Sequence, residues 1–203
     1  GAERGRPCLL AARVPDTLEM SRRTGLDVQT WLEEGLLDMA IHSLKDLPTQ
    51  VPQSLTLGAV AHRGDPRDVL VNRWGCSLAE LPEGARIGTS SPRRQALLRN
   101  LCPQVVPVPI RGNVETRLAK SESDEYDGVV LAAAGLVRLG LAERASEYMS
   151  IEEFVPSPGQ GVLAVEMRSN DDRMRQILAS VDHPYSRSGA TVGQEHPAVL
   201  EMK

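Results

Sequence analysis

Three short segments place arginine at or beside the start of a helix-forming run. They are Thr89-Ser90-Ser91-Pro92-Arg93-Arg94, Arg111-Gly112-Asn113-Val114-Glu115-Thr116-Arg117 and Ala132-Ala133-Ala134-Gly135-Leu136-Val137-Arg138, each after an apolar, strand-like stretch. Parallel strands of an open α/β sheet deliver their following loops to one edge. Four or five guanidinium groups would then converge on one cleft, a site for a ligand with several carboxylates or phosphates. The dipole at a helix start opposes a cation, so arginine there suggests that an anion is expected. Ser90 and Ser91 add hydroxyls and free amides at the same turn. Adjacent helical residues point about 100° apart, so Arg93 and Arg94 cannot share one solvated stripe. One would face the cleft and the other a neighbouring domain. For Arg138, a surface pair with Glu143 is the alternative.

A second dense segment is His42-Ser43-Leu44-Lys45-Asp46, which follows the strand-like Met39-Ala40-Ile41. Donors Ser43 and Lys45 and the acceptor Asp46 fall within one turn. A carboxylate beside cations stays ionised and stabilises positive charge that develops on a substrate. His42, at the end of an apolar strand, reads as a packed residue rather than a base. Cys8, Cys76 and Cys102 form neither a disulfide framework nor a metal-ligand pattern, so no metal is expected. Cys102, beside Pro103, reads as an inert thiol in a reducing compartment.

The elements that must hold these groups follow from pattern. With 203 residues and 41% hydrophobic content, the chain can build one large or two small domains. The net charge of -4 argues against a general nucleic-acid binder. Of 23 basic residues all but Lys45, Lys120 and Lys203 are arginine; compositional bias explains that excess but not where the arginines sit. Val129 to Val137 is too short to span a membrane, and the N-terminus has no signal-peptide pattern. A cytoplasmic monomer is expected, with an organelle left open.

Residues 1–24 lack periodicity and read as a poorly ordered segment. Leu26 to Leu36 suits a short amphipathic helix, Met39 to Ile41 a strand, and Leu55 to Ala61 and Val69 to Asn72 two more. Pro82-Glu83-Gly84 reads as a domain boundary. Beyond it, strand and helix alternate: Arg86 to Gly88, a helix capped by Ser91 with Pro92 first, Val105 to Ile110 as an edge strand, a helix from Asn113 to about Lys120, the buried run Val129 to Ala132, and a helix from Gly135 to about Met149. Leu163, Val165 and Met167 form one face of a last strand, followed by a helix from Asp171 to Val181. The expected organisation is residues 25–84 as a partial first domain completed by a return strand and helix in 162–182, residues 85–160 as the second domain, and an irregular tail over 183–203.

In order along the chain stand His42-Ser43-Leu44-Lys45-Asp46-Leu47-Pro48-Thr49, Asp65-Pro66-Arg67-Asp68, Gly88-Thr89-Ser90-Ser91 with Arg93-Arg94, Arg111-Gly112-Asn113 with Thr116-Arg117-Leu118, Leu131-Ala132-Ala133-Ala134-Gly135-Leu136 with Arg138-Leu139, and Gly159-Gln160-Gly161. From about Leu36 to Val181 the chain resembles porphobilinogen deaminase, also called hydroxymethylbilane synthase. The resemblance implies an α/β fold of two periplasmic-binding-protein-like (type II) domains with doubly wound mixed sheets and the active cleft between them. It implies a transferase of tetrapyrrole and haem biosynthesis that joins four porphobilinogen molecules and releases ammonia. A dipyrromethane primer on a cysteine thioether would be the cofactor. Asp46 matches the catalytic aspartate. Ser43, Lys45, Ser91, Arg93, Arg94, Arg111, Arg117 and Arg138 match residues that bind acetate and propionate groups, and Thr89, Ser90 and Gln160 join that candidate set.

The chain departs from the family at both ends. Residues 1–24 do not match the family's opening strand and its Thr-Arg-Ser-type segment, so the first domain is expected to be incomplete. No Gly-Gly-Cys segment follows Glu195, so the third domain is expected to be largely absent and the attachment cysteine is not identifiable. Pro92 replaces a small apolar residue. An enzyme, a non-catalytic homologue or fragment that binds polycarboxylate pyrroles, and a poorly folding piece all stay open at this level.

Overall fold

The computed structural model describes residues 11–13, 27–48 and 51–195. Cys8 and Thr49 lie outside them, as does most of the segment expected to be poorly ordered. The described chain divides into two compact units. Unit 1 holds the residues up to Arg63 and the return stretch from Val162, and unit 2 runs from Gly64 to Gly161.

Unit 1 carries a four-stranded sheet of β1 (Ala11–Arg13), β2 (Met39–Ser43), β3 (Leu55–Val60) and β9 (Leu163–Arg168), in the order β1-β2-β9-β3. β1 pairs in parallel with β2, and β9 runs antiparallel to both β2 and β3. A strand at Ala11–Arg13 corrects the reading of residues 1–24 as lacking an element. Its three residues are too few to show a period. Helix α1 (Val28–Glu33) opens on Asp27, whose carboxylate accepts from the Thr30 amide at 2.8 Å. It buries Trp31 and Leu32 with Leu37, Ala40 and Leu55 on one side of the sheet. Alternation along β2 and β9 sends Met39, Ile41, Val165 and Met167 to the other side, where Met174 and Leu178 of α5 (Asp172–Leu178) cover them. Of these, Met39 and Ile41 are half-buried, and each fully buried side chain contributes roughly 1.5–3 kcal/mol of transfer free energy.

The tail expected to be irregular from His183 instead forms helix α6 (Pro184–Glu195). Polar bonds rather than an apolar stripe hold its start. Arg187 grips Asp182 and donates to the Leu57 and Gly58 carbonyls, each at 3.1 Å. The Ser186 hydroxyl accepts from the Arg63 amide at 3.1 Å. Such bonds have no sequence period, which is why the helix was not legible.

Unit 2 carries a five-stranded sheet, in the order β6-β5-β7-β4-β8. The strands are β4 (Asp68–Asn72), β5 (Arg86–Gly88), β6 (Val106–Val108), β7 (Gly128–Ala132) and β8 (Glu147–Tyr148). β5 is parallel to β6 and β7, and β4 is antiparallel to β7 and β8. Alternation splits β4 and β7 between two buried layers. Leu70 and Val130 join Ile87, Leu98 and Phe154 on one face, while Val69, Val71, Val129 and Leu131 join Ile110, Leu118 and Leu136 on the other. Helices α2 (Pro92–Leu101), α3 (Val114–Ser121) and α4 (Ala133–Arg138) connect the strands, so the sheet is mixed and covered on both faces. β6 is at the edge, where Pro107 within it and Pro109 just past it are tolerated.

Two boundaries differ from expectation. The passage into unit 2 falls at Gly64 rather than at 82–84, because β4 pairs with β7 along five residues from Asp68↔Ala132 to Asn72↔Gly128. The helix expected from Gly135 to Met149 stops at Arg138. Gly140 adopts φ +71° and its amide donates to the Val137 carbonyl, a helix stop that needs glycine. A short 3-10 turn (Ala142–Arg144) and β8 follow.

Candidate functional site

In unit 2 the parallel strands β5, β6 and β7 end at one sheet edge, and α2, α3 and α4 start there. Ser91 caps α2, its hydroxyl accepting from the Arg94 amide at 3.4 Å with Pro92 next in line. Asn113 caps α3 by accepting from the Thr116 amide at 2.8 Å. β4 runs the opposite way, so its first residue, Asp68, arrives at the same edge opposite Ala132.

Asp68 is fully buried. Its Oδ1 accepts from Arg94 Nη2 at 2.7 Å, Arg94 Nε at 3.2 Å and Gln160 Nε2 at 2.8 Å. Its Oδ2 accepts from Arg93 Nη2 at 2.7 Å. Arg94 Nη1 donates to the Val130 carbonyl at 2.9 Å, and Arg93 Nη1 donates to the Val155 carbonyl. Arg93 Nε is buried without a partner among the described residues. The expectation that Arg93 and Arg94 would part company is corrected. Their 100° separation is bridged because both side chains wrap onto one carboxylate within unit 2.

Ser90 donates its hydroxyl to the Ile110 carbonyl at 2.7 Å and accepts from the Ile110 amide at 3.0 Å, stitching two edge loops together. Thr89 is buried and its hydroxyl accepts from the Ser91 amide at 3.2 Å. Gln160 is buried too, its amide donating to Asp68 and to the Pro66 carbonyl at 2.7 Å. All three side chains have hydrogen-bond partners within the fold, although Ser90 is an exposed residue. Arg111 is exposed, and Arg117 Nε donates to the Gly112 carbonyl at 2.7 Å. Arg138 closes α4 rather than opening it, where the helix dipole favours a cation. Its Nη2 donates to the Gly161 carbonyl at 2.7 Å in place of the surface pair with Glu143.

Unit 1 presents the acidic turn. β2 ends at Ser43 and a 3-10 turn covers Leu44–Asp46. The Leu44 amide donates to the Val162 carbonyl at 3.0 Å, and Leu44 and Leu47 are buried beside Val60, Val162 and Ala164. These anchors leave Ser43 and Lys45 half-buried and Asp46 exposed. Asp46 has no hydrogen bond or ion pair with a described residue. His42 is packed, as expected, its Nε2 3.0 Å from the fully buried Glu166.

Cys102 caps the far end of α2 from Arg93 and Arg94, about 12–14 Å away at about 1.5 Å per residue. It is buried, and that burial pushes its thiol pKa up. Cys76 packs against the same core cluster. Among the described residues no group of His, Cys, Asp and Glu is placed to hold a metal ion, and no helix is long and apolar enough to cross a membrane.

The family model described as porphobilinogen deaminase, dipyromethane cofactor binding domain, matches residues 25–176. The chain belongs to the porphobilinogen deaminase family. Porphobilinogen deaminase of Alkaliphilus metalliredigens is 52% identical over 157 residues, 77% of this chain and 50% of the relative. That of Roseiflexus castenholzii is 45% identical over 166 residues, 82% of this chain and 55% of the relative. The chain thus spans about half the length of the curated relatives it matches. A periplasmic substrate-binding protein of an ABC transporter from Coxiella burnetii aligns at TM-score 0.53 and 18% identity, over 91% of this chain and 96% of that one. The fold is therefore the expected periplasmic-binding-protein-like type II class with mixed sheets. Every candidate from Ser43 to Gln160 lies inside the segment that matches the porphobilinogen deaminase model. Asp68 lies there as well. Sequence reading noted it only within Asp65-Pro66-Arg67-Asp68, because nothing local reveals that its partners sit 25 and 92 residues away.

Proposed function

We propose that this chain serves the joining of porphobilinogen units into hydroxymethylbilane with release of ammonia. The observation that carries the reading is Asp46, an exposed carboxylate without a described partner on a turn held by buried Leu44 and Leu47. Loss of ammonia breaks the bond from the substrate's aminomethyl carbon to nitrogen, and the electron pair leaves with nitrogen. The methylene pyrrole left behind is cationic, and a fixed carboxylate lowers the barrier to it by several kcal/mol, on the order of 3. Asp46 accepts hydrogen bonds from pyrrole N–H groups and faces that charge. Ser43 and Lys45 on the same turn orient substrate carboxylates.

Unit 2 carries cations along its own edge, and each pyrrole unit brings two carboxylates. Exposed Arg111 and the unpartnered Nε of Arg93 suit those groups. The same donors fit the carboxylates of a dipyrromethane, which when bound supplies the pyrrole end to which the first substrate is joined. Its thioether finds no fit at Cys102, buried at the other end of α2, and Cys76 is partly buried against the same cluster. The relatives carry the deaminase name, and the binding-only alternative draws no support from them.

The test is to supply the expressed chain with porphobilinogen and primer precursor, oxidise the tetrapyrrole formed to porphyrin and follow its visible absorbance, and weigh the intact protein. Coloured product that disappears in Asp46→Asn supports the reading. No product, with an unmodified mass, rejects it.

A further inference from the structure

The Asp68 network holds one carboxylate and two guanidinium groups, a surplus of one positive charge. The surplus is not shared equally. Arg94 is 5% exposed and each of its three nitrogens donates, two to Asp68 and one to Val130. Arg93 donates Nη2 to Asp68 and Nη1 to the Val155 carbonyl, its side chain is 12% exposed against 6% for that of Arg94, and its Nε–H has nothing described to receive it. A buried unsatisfied donor is costly in a finished core, and a bound anion removes that cost.

We propose that Asp68 is a positioning residue for anion binding. It turns Arg94 inward as its fixed counter-ion and sets Arg93 as the ligand-facing member of the pair, while Gln160 locks the carboxylate that both arginines share. The proposal rests on the reading that this edge binds substrate carboxylates. Three segments meet in it: the start of β4, the first turn of α2 and the loop before β9. Gln160 also donates to Pro66, and the Gly64 amide donates to the Gly161 carbonyl at 3.0 Å. The network thus closes over both points where the chain enters and leaves unit 2.

The sign of one mutation separates positioning from background charge. Asp68→Asn removes a negative charge beside an anion site, which by Coulomb attraction alone would tighten binding. Loss of positioning weakens it. Calorimetric titration of the full chain with porphobilinogen should show binding at least about tenfold weaker in Asp68→Asn. Adding Arg93→Gln to that variant should cost little more, because the two residues act as a unit. Phenylglyoxal labelling read by peptide mass spectrometry should modify Arg93 and Arg94 about tenfold faster in Asp68→Asn than in the parent, following their release from the carboxylate. Equal or tighter binding with unchanged labelling overturns the proposal.

Should Asp68→Asn fail to fold, Gln160→Met decides, since it deletes one neutral donor and strands no charge. Weaker binding and faster labelling support the proposal, and parental values of both overturn it. Should the parent chain not bind porphobilinogen at all, the functional reading fails. The labelling arm then decides the role of Asp68 by itself.

Discussion

Arg94 Nη2 lies 2.7 Å from Asp68 Oδ1, and the two residues are 5% and 0% exposed. An ion pair at that depth holds because the desolvation of each charge is offset by the other and by the added bonds from Gln160 and to Val130.

Breaking that pair from one side should be severe. Arg94→Met leaves Asp68 charged and half-served, and the loss should be about 3–5 kcal/mol. Denaturant unfolding measures it. Arg111→Ala, at an exposed position of the same edge, should change stability by no more than about 0.5 kcal/mol.

Asp46 should behave in the opposite way. Being exposed and without a described partner, it contributes little to folding, and Asp46→Asn should leave the unfolding midpoint within about 0.5 kcal/mol of the parent. Tetrapyrrole formation should fall by about 10²–10³-fold, the scale for removing one fixed electrostatic stabiliser. A large loss of stability would make the residue structural.

Gly161→Ala should destabilise unit 2. Gly161 adopts φ +86°, and a Cβ there would lie 2.7 Å from the Gly64 carbonyl oxygen and 3.2 Å from that of Asp65. Strain and a clash with backbone together should cost about 2 kcal/mol or more. Thermal unfolding of the variant tests this.

Acid should act through Asp127. Its hydrogen bonds with the Arg86 side chain, and then the Arg86 amide, hold its carboxyl below the ordinary aspartate range. A depressed folded-state value means that the unfolded chain takes up protons first. The stabilisation is therefore complete above about pH 4 and is lost as pH falls below it. Arg86→Gln should lower stability at neutral pH and flatten the decline between about pH 4 and 2. Unfolding curves across that range give the comparison.

Ligand affinity should report exposed Arg111 and half-buried Arg117. Arg111→Ala and Arg117→Ala should each weaken porphobilinogen binding several-fold, by about 1 kcal/mol. The difference from the parent should shrink as salt rises past about 0.15 M, where the screening length is near 8 Å. Titration at two ionic strengths checks both statements.

Local pattern determined much of this molecule. Ser91-Pro92 and Asn113 declared two helix starts, the run from Val129 declared a central strand, and Pro107 and Pro109 marked an edge, because caps, prolines and alternation act within a few residues. The recurrence of strand, loop and arginine located the sheet edge of unit 2 where α2 and α3 start, and His42 to Asp46 located the acidic turn. Tertiary structure alone decided which arginines stay available. Arg93 and Arg94 read as one arginine facing the cleft and one facing a neighbouring domain until β4, running antiparallel to β7, brings Asp68 to both. It likewise moved residues 64–84 into unit 2 through pairing between strands some sixty residues apart, tied Ser90 to Ile110 and buried Gln160, and made a helix of the tail from Pro184 through bonds to β3. In each case the deciding partner is distant in the chain, and only the folded backbone brings it near.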